Sequence, residues 1–267
     1  MDGIIDTIQA KLLEIEAAEH VKILLAVESG SRAWGFASPD SDYDVRFVYV
    51  RDRADYLKLN GSRDVIEWQL DEVLDINGWD LKKALIQFHR GNATLFEWSN
   101  SPIVYRMTQE WKRVYRAAEP FFSVKAAAYH YYGTANSTYC QYLQGDTVNY
   151  KKYFYALRPL LAGQYIQKHQ CPPPVLFDDL MKMDMPEELR SGICGLLEVK
   201  KKSGESAGGS QIAVVRDFIE EELAKQKAYV DSMADDRKDG WEELDSVFLE
   251  MTALMRTSVG KQFSNTL

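Results

Sequence analysis

Cysteine, histidine and long apolar runs are scarce in this chain and positive charge is outnumbered by negative, and each of these narrows the function. The three cysteines, Cys140, Cys171 and Cys194, are widely spaced and odd in number. That argues against a disulfide framework or a structural zinc site and fits reduced thiols in the cytoplasm. The four histidines, His20, His89, His130 and His169, are scattered without metal-ligand spacing. The longest apolar runs, such as "ILLAV" at 23–27, fall far short of the roughly 20 residues that span a bilayer. The first residues, "MDGIIDTIQAKLLEIEAAEH", begin acidic and have neither the basic start nor the apolar core of a signal peptide. We therefore expect a cytoplasmic protein with no membrane partner. The formal net charge of −8 removes any whole-surface attraction to nucleic acid, although one basic groove is still allowed. No internal repeat is visible.

What is present is globular composition: 267 residues, 46% hydrophobic and 27% charged. Ile4, Ile5, Ile8, Leu12 and Ile15 recur at helical spacing, and "VKILLAVES" follows as a buried strand. "YDVRFVYV" alternates as a strand, "RADYLKL" reads as a short helix, and "RDVIEWQL" and "VLDIN" as two strands joined through Asp71-Glu72. From "GWDLKKALIQFHRGN" onward the pattern is helical, broken by "CPPPVLF" and by the polar stretch "KKKSGESAGGS" at 200–210, expected to be a mobile loop. The predicted class is α+β, an N-terminal mixed β-sheet domain over 1–110 followed by an all-helical domain over 111–267.

One stretch concentrates the chemistry: "SGSRAWGFASPDSDYDVRFVYV", residues 29–50. On a strand, Asp42 and Asp44 point the same way while Tyr43, Val45 and Phe47 point into a core. Two adjacent carboxylates repel unless a cation neutralises them, and such oxygen ligands suit Mg²⁺ or Mn²⁺. Alone, "DxD" is an ordinary solvent-facing strand end. Gly30-Ser31 changes the reading. It follows an apolar strand directly, where glycine lets a ligand approach the backbone and the Ser31 hydroxyl adds a donor. Phosphate donors would then sit beside metal-binding carboxylates, as a nucleoside-triphosphate site requires.

This segment resembles the signature of the DNA polymerase beta-like nucleotidyltransferases over residues 21–50. With "DLKKAL" and "SPIVYR" it is similar, more narrowly and through about residue 175, to the bacterial RNA repair pathway DNA polymerase beta family. The resemblance implies transfer of a nucleoside monophosphate from an NTP to an acceptor hydroxyl, with Mg²⁺ or Mn²⁺ held by Asp42, Asp44 and a third carboxylate. Two residues compete for that third place. Asp75 in "VLDIN" has the usual side chain, whereas Glu67 in "DVIEW" is favoured if a tight hairpin buries the Trp68 face. Asp75 is preferred, and both stay open.

Around the nucleotide, Arg32 follows the Gly-Ser pair, and Arg46 shares the face of Asp42 and Asp44, placed to pair with them or with phosphate. Trp34 and Phe36 would stack on a base or pack beneath a loop. In "YKKYFYALRPLL", Lys151, Tyr155 and Arg158 share a helical face. The resemblance implies that Lys151 or Lys152, with Arg158 nearby, meets the triphosphate opposite Ser31. The acceptor implied is an RNA 3′ end. A small-molecule hydroxyl, a protein side chain in AMPylation, and a non-catalytic NTP-binding regulator are the alternatives.

Overall fold

The computed structural model describes residues 2–71, 73–202 and 208–259. Helix α1 (Asp2–Glu19) passes through His20, with φ of 52°, into strand β1 (Val21–Glu28). A one-turn helix α2 (Gly30–Ala33) and a loop lead to β2 (Tyr43–Arg51), then to the short α3 (Arg53–Tyr56). Strands β3 (Val65–Leu70) and β4 (Leu74–Asp80) are joined through Asp71, whose carboxylate accepts the amides of Val73 and Leu74. Asp80 then caps α4 (Leu81–His89) and Asn92 caps α5 (Ala93–Ser99), each by accepting an amide of the first turn. Strand β5 (Val104–Met107) closes a five-stranded sheet of order β3-β4-β2-β1-β5, in which β2 and β4 run parallel and the other pairs antiparallel.

Strand alternation decides what each face of this sheet buries. Val45, Phe47 and Tyr49 pack with Ile8, Leu12 and Ile15 of α1. Val48 and Val50 face the other way, onto Leu81, Leu85 and Phe88 of α4 and Leu95 and Phe96 of α5. Asp44 and Arg46 continue this second face to the strand's beginning, so the charged pair opens where the apolar cover stops.

Helix α6 (Gln109–Ala118) also covers the second face. Beyond it come α7 (Val124–Tyr142), β6 (Thr147–Asn149), α8 (Tyr150–His169), α9 (Phe177–Leu180) and α10 (Glu187–Lys202). Strand β7 (Gly208–Ser210), α11 (Ala213–Ser232) and α12 (Glu242–Val259) follow. Tyr153, Phe154, Leu157, Leu160 and Leu161 of α8 centre a second core with α7, α10 and α11. The class is α+β, a mixed sheet followed by helices.

Three details depart from the sequence reading. Strand β5 extends the sheet beyond the point where the pattern reads as wholly helical. Helix α12 returns to the head and buries Leu244, Val247 and Met251 against α4 and α6, so a cut at residue 110 separates helices that pack together. Of the expected loop at 200–210, Lys200 is buried within α10 and Gly208–Ser210 pair with Thr147–Asn149; residues 203–207 lie outside the described ones. Among the described residues no helix is long and apolar enough to cross a membrane.

Candidate active site

The site begins where β1 ends. The Ser29 amide donates to the Asp44 carbonyl at 2.8 Å, holding the turn after β1 against the start of β2. Gly30 then takes a φ of +60°, and a β-carbon there would stand 2.1 Å from Asp44 Oδ2. Only glycine combines that backbone with that proximity. Ser31 is buried in the same turn, and its carbonyl accepts the Phe36 amide.

Asp44 and Asp75 are partners in the parallel register of β2 and β4. Arg46 joins them: Nη2 donates to Asp44 Oδ1 at 2.9 Å and to Asp75 Oδ2 at 2.6 Å. Asp42 precedes the strand with its side chain exposed. Glu67, the rival third carboxylate, stands exposed on the outer strand opposite Asn77, with β4 between it and Asp44. A register shift between Glu67 and Gln69 upsets the simple alternation on which the hairpin argument for Glu67 relied. Arg32 is taken up by the loop that follows the turn. Its Nε donates to the Asp42 carbonyl at 2.9 Å, its Nη2 to that of Ser41 at 2.5 Å, and it lies 3.7 Å over the Tyr43 ring. It braces the loop that delivers Asp42.

Burial, above all, raises the Asp44 pKa; Arg46 and Lys151 oppose the shift, while Asp42 and Asp75 add to it. A divalent cation would reverse the balance by favouring the ionised form. The donor set therefore suits Mg²⁺ or Mn²⁺: hard carboxylate oxygens in mutual repulsion, beside a glycine that leaves Asp44 Oδ2 uncovered. Among the described residues no three potential ligands converge as a ready cage, and Arg46 already lies between two of the carboxylates.

The loop after the Gly-Ser turn anchors the helical part. Phe36 is buried against Phe154 and Phe177, at 5.3 and 5.6 Å between ring centroids. The Trp34 ring meets Tyr155 at 5.5 Å, and its Nε1 donates to Glu97 Oε1 at 2.7 Å. Both aromatics pack; neither is offered to a base. Lys151 opens α8 and is close enough for its charge to act on Asp44. Lys152 instead places Nζ 4.0 Å over the Tyr142 ring. Arg158 does not face a triphosphate. It is 2% exposed, donates from Nη1 to Glu97 Oε2 at 2.7 Å, and lies over Trp34 at 4.8 Å. A buried guanidinium needs a carboxylate, and Glu97 supplies it.

Two carboxylates, Glu28 buried and Glu97 half-buried, escaped the sequence reading. Glu28, the last residue of β1, accepts the Asp44 amide at 2.9 Å and the Tyr105 hydroxyl proton. Burial raises its pKa, the Tyr105 bond opposing. Glu97 receives Trp34, Tyr131 and Arg158 together. The available signal was a lone acid inside an apolar run, "LLAVES" and "TLFEWS".

The model of the RNA repair pathway DNA polymerase beta family matches residues 4–250. The chain is also similar to the uncharacterized protein YcgL of Bacillus subtilis (strain 168), 43% identical over 243 residues, 90% of this chain and 93% of that protein. A match running from the first helix into the last one takes in the sheet, the carboxylates and the helical part at once, and the chain belongs to the RNA repair pathway DNA polymerase beta family.

Proposed function

We propose that this protein is a metal-dependent nucleotidyltransferase that moves a nucleoside monophosphate from an NTP to an acceptor hydroxyl, the acceptor being an RNA 3′ end. The observation that carries the reading is the packing of Gly30 on Asp44, with Asp75 in register beside it. Asp42 and Asp44 would hold a Mg²⁺ or Mn²⁺ ion. When bound, such an ion neutralises phosphate charge and lowers the pKa of an attacking hydroxyl.

The chain's own groups supply the rest. The Gly30-Ser31 turn offers backbone amides and a hydroxyl to the β and γ phosphates. Lys151 and Lys152 both lie in the first turn of α8, which contains no acidic residue. Cations at a helix N-terminus are disfavoured by the helix dipole, so this end concentrates positive potential and suits an anion. Asp75 is the candidate base for the acceptor proton. Its Oδ2 is bound to Arg46, whereas among the described residues Oδ1 takes a 3.2 Å bond from the Asn77 amide and keeps room to accept.

The family description supports RNA as acceptor, and the net charge of −8 requires that any RNA be met by a local groove. The test is incubation of the purified protein with each labelled NTP, Mg²⁺ or Mn²⁺, and separate pools of cellular RNA, protein and metabolites. Label in the RNA pool, absent with Asp44→Asn, is expected. Label in the protein or metabolite pool would move the acceptor to a side chain or a small molecule, and no label in any pool would sink the catalytic reading.

A further inference from the structure

The Arg46 guanidinium is a cation already in place among the aspartates. One of its nitrogens, Nη2, bonds a carboxylate oxygen from each of Asp44 and Asp75, at 2.9 and 2.6 Å. The other, Nη1, donates to the carbonyls of Asp75 and Val45 at 2.9 and 3.2 Å. Its side chain is 15% exposed. Removing the guanidinium from this gap would break four hydrogen bonds, two of them to backbone that is fixed by the β2–β4 ladder. It would also leave the two carboxylates facing each other unscreened, in a half-buried setting where like charges repel strongly. Asp42 differs. Its side chain is exposed, and the group that Arg32 holds is its carbonyl, so the carboxylate stays available.

We propose that Arg46 is the fixed counter-cation of Asp44 and Asp75, and that the protein accordingly takes one divalent ion per bound nucleoside triphosphate, on Asp42 and Asp44. The inference rests on the nucleotidyltransferase reading of the site. Asp75 is then a positioning residue for Arg46 as well as a base, and takes no part in holding the ion. Arginine suits the task better than lysine, because its planar fork reaches two carboxylates and two carbonyls at once.

The test counts bound Mn²⁺ by electron paramagnetic resonance, with each of the four α,β-methylene nucleoside triphosphates present at saturation. Wild type is expected to bind one ion per bound nucleotide. Arg46→Gln, which keeps a donor but no charge, is expected to bind two, its fold being checked by near-ultraviolet circular dichroism. Two ions per nucleotide in wild type, or one in both wild type and a folded Arg46→Gln, overturns the proposal and leaves the nucleotidyltransferase reading standing. Absence of nucleotide-dependent Mn²⁺ binding in wild type overturns both. Two ions in wild type overturn the proposal whether or not the variant folds, and if Arg46→Gln does not fold, Arg46→Met, uncharged and of similar length, takes its place in the count with the same two outcomes.

Discussion

Gly30 and Asp44 are in contact through the side chain that Gly30 lacks: a β-carbon at position 30 would lie 2.1 Å from Asp44 Oδ2. The left-handed φ of +60° at the same residue adds backbone strain to any replacement. Gly30→Ala therefore has two separable effects. Strain lowers stability by about 1–3 kcal/mol, measurable by urea unfolding. Displacement of the Asp44 carboxylate by about 1 Å should lower nucleotidyl transfer on the order of 100-fold. An alanine variant with wild-type turnover would show that the turn does not set the carboxylate's place.

Asp42 and Asp44 should be separable from the fold. Burial, above all, and two neighbouring carboxylates raise the Asp44 pKa, so its surroundings disfavour the ionised form. Asp44→Asn removes that repulsion and leaves Arg46 its bond to Asp75. Transfer should fall to background while stability changes by less than about 1 kcal/mol, the usual worth of a partly exposed ion pair. Asp42→Asn should behave alike. Turnover persisting in either at saturating Mg²⁺ would end the metal proposal.

Asp80 makes the fold sensitive to pH. It is 4% exposed, caps α4 through the Lys82 amide and accepts the Tyr56 hydroxyl proton. Burial pushes its pKa from 3.8 up to about 6, with both hydrogen bonds opposing. Below 3.8 folded and unfolded chains both hold the proton, and between 3.8 and about 6 only the folded chain does. Stability from this group therefore falls as pH rises through that window and is flat above it. A tenfold difference in proton affinity corresponds to about 1.4 kcal/mol, so the loss is at most about 3 kcal/mol. Asp80→Asn keeps an acceptor for the cap and should abolish that slope. Identical pH profiles for variant and wild type would assign the dependence elsewhere.

The site's centre was legible because it is local. Gly30 and Asp44 fall in one turn and the strand that follows it, and strand alternation puts Asp44 and Arg46 on one face, whereas Asp42 precedes the strand and lies outside that alternation. The choice between Asp75 and Glu67 was not legible, because it turns on a parallel register and on a bulge, and neither leaves a sequence period. Arg158 shows the same limit from the other side. Helical spacing put it on the face of Lys151 and Tyr155, which α8 does turn toward Trp34. Spacing carries no information about Glu97, which lies 61 residues away and claims the guanidinium. Helix α12 was read correctly as a helix, yet its packing on the head is a long-range choice among apolar faces.

Glu97 and Arg158 should act as one unit of stability. Their bond is 2.7 Å, with side chains 14% and 3% exposed. Removing one partner strands the other charge in the interior, so Glu97→Ala should cost about 3–5 kcal/mol. In the double variant with Arg158→Met the uncompensated cation is gone, and part of the loss should return, giving a favourable coupling in a double-mutant cycle. Additive losses would mean that the two residues stabilise the fold independently, through Trp34 and Tyr131 on one side and Val175 on the other.

The two lysines that open α8 should part company on substrate binding. Lys151 is near enough to Asp44 for its charge to oppose the rise in that carboxylate's pKa. Lys152 places Nζ 4.0 Å over the Tyr142 ring, and both lysines lie 5.6 Å from the Tyr155 ring. An NTP differs from its monophosphate by the β and γ phosphates alone, so a lysine meeting them affects only the first. Lys151→Ala should weaken NTP binding by about 1.5–3 kcal/mol, the range for a hydrogen bond to a charged group, with little effect on NMP. Lys152→Ala should lose a cation–π contact of about 0.5–1 kcal/mol to stability and leave both affinities near wild type. Calorimetric titration of both variants with NTP and NMP gives all four comparisons. Equal losses for the two ligands in Lys151→Ala would move its contact to the α-phosphate or the base. A selective NTP loss in Lys152→Ala instead would mean that nucleotide draws Lys152 off its tyrosine and makes it the phosphate ligand.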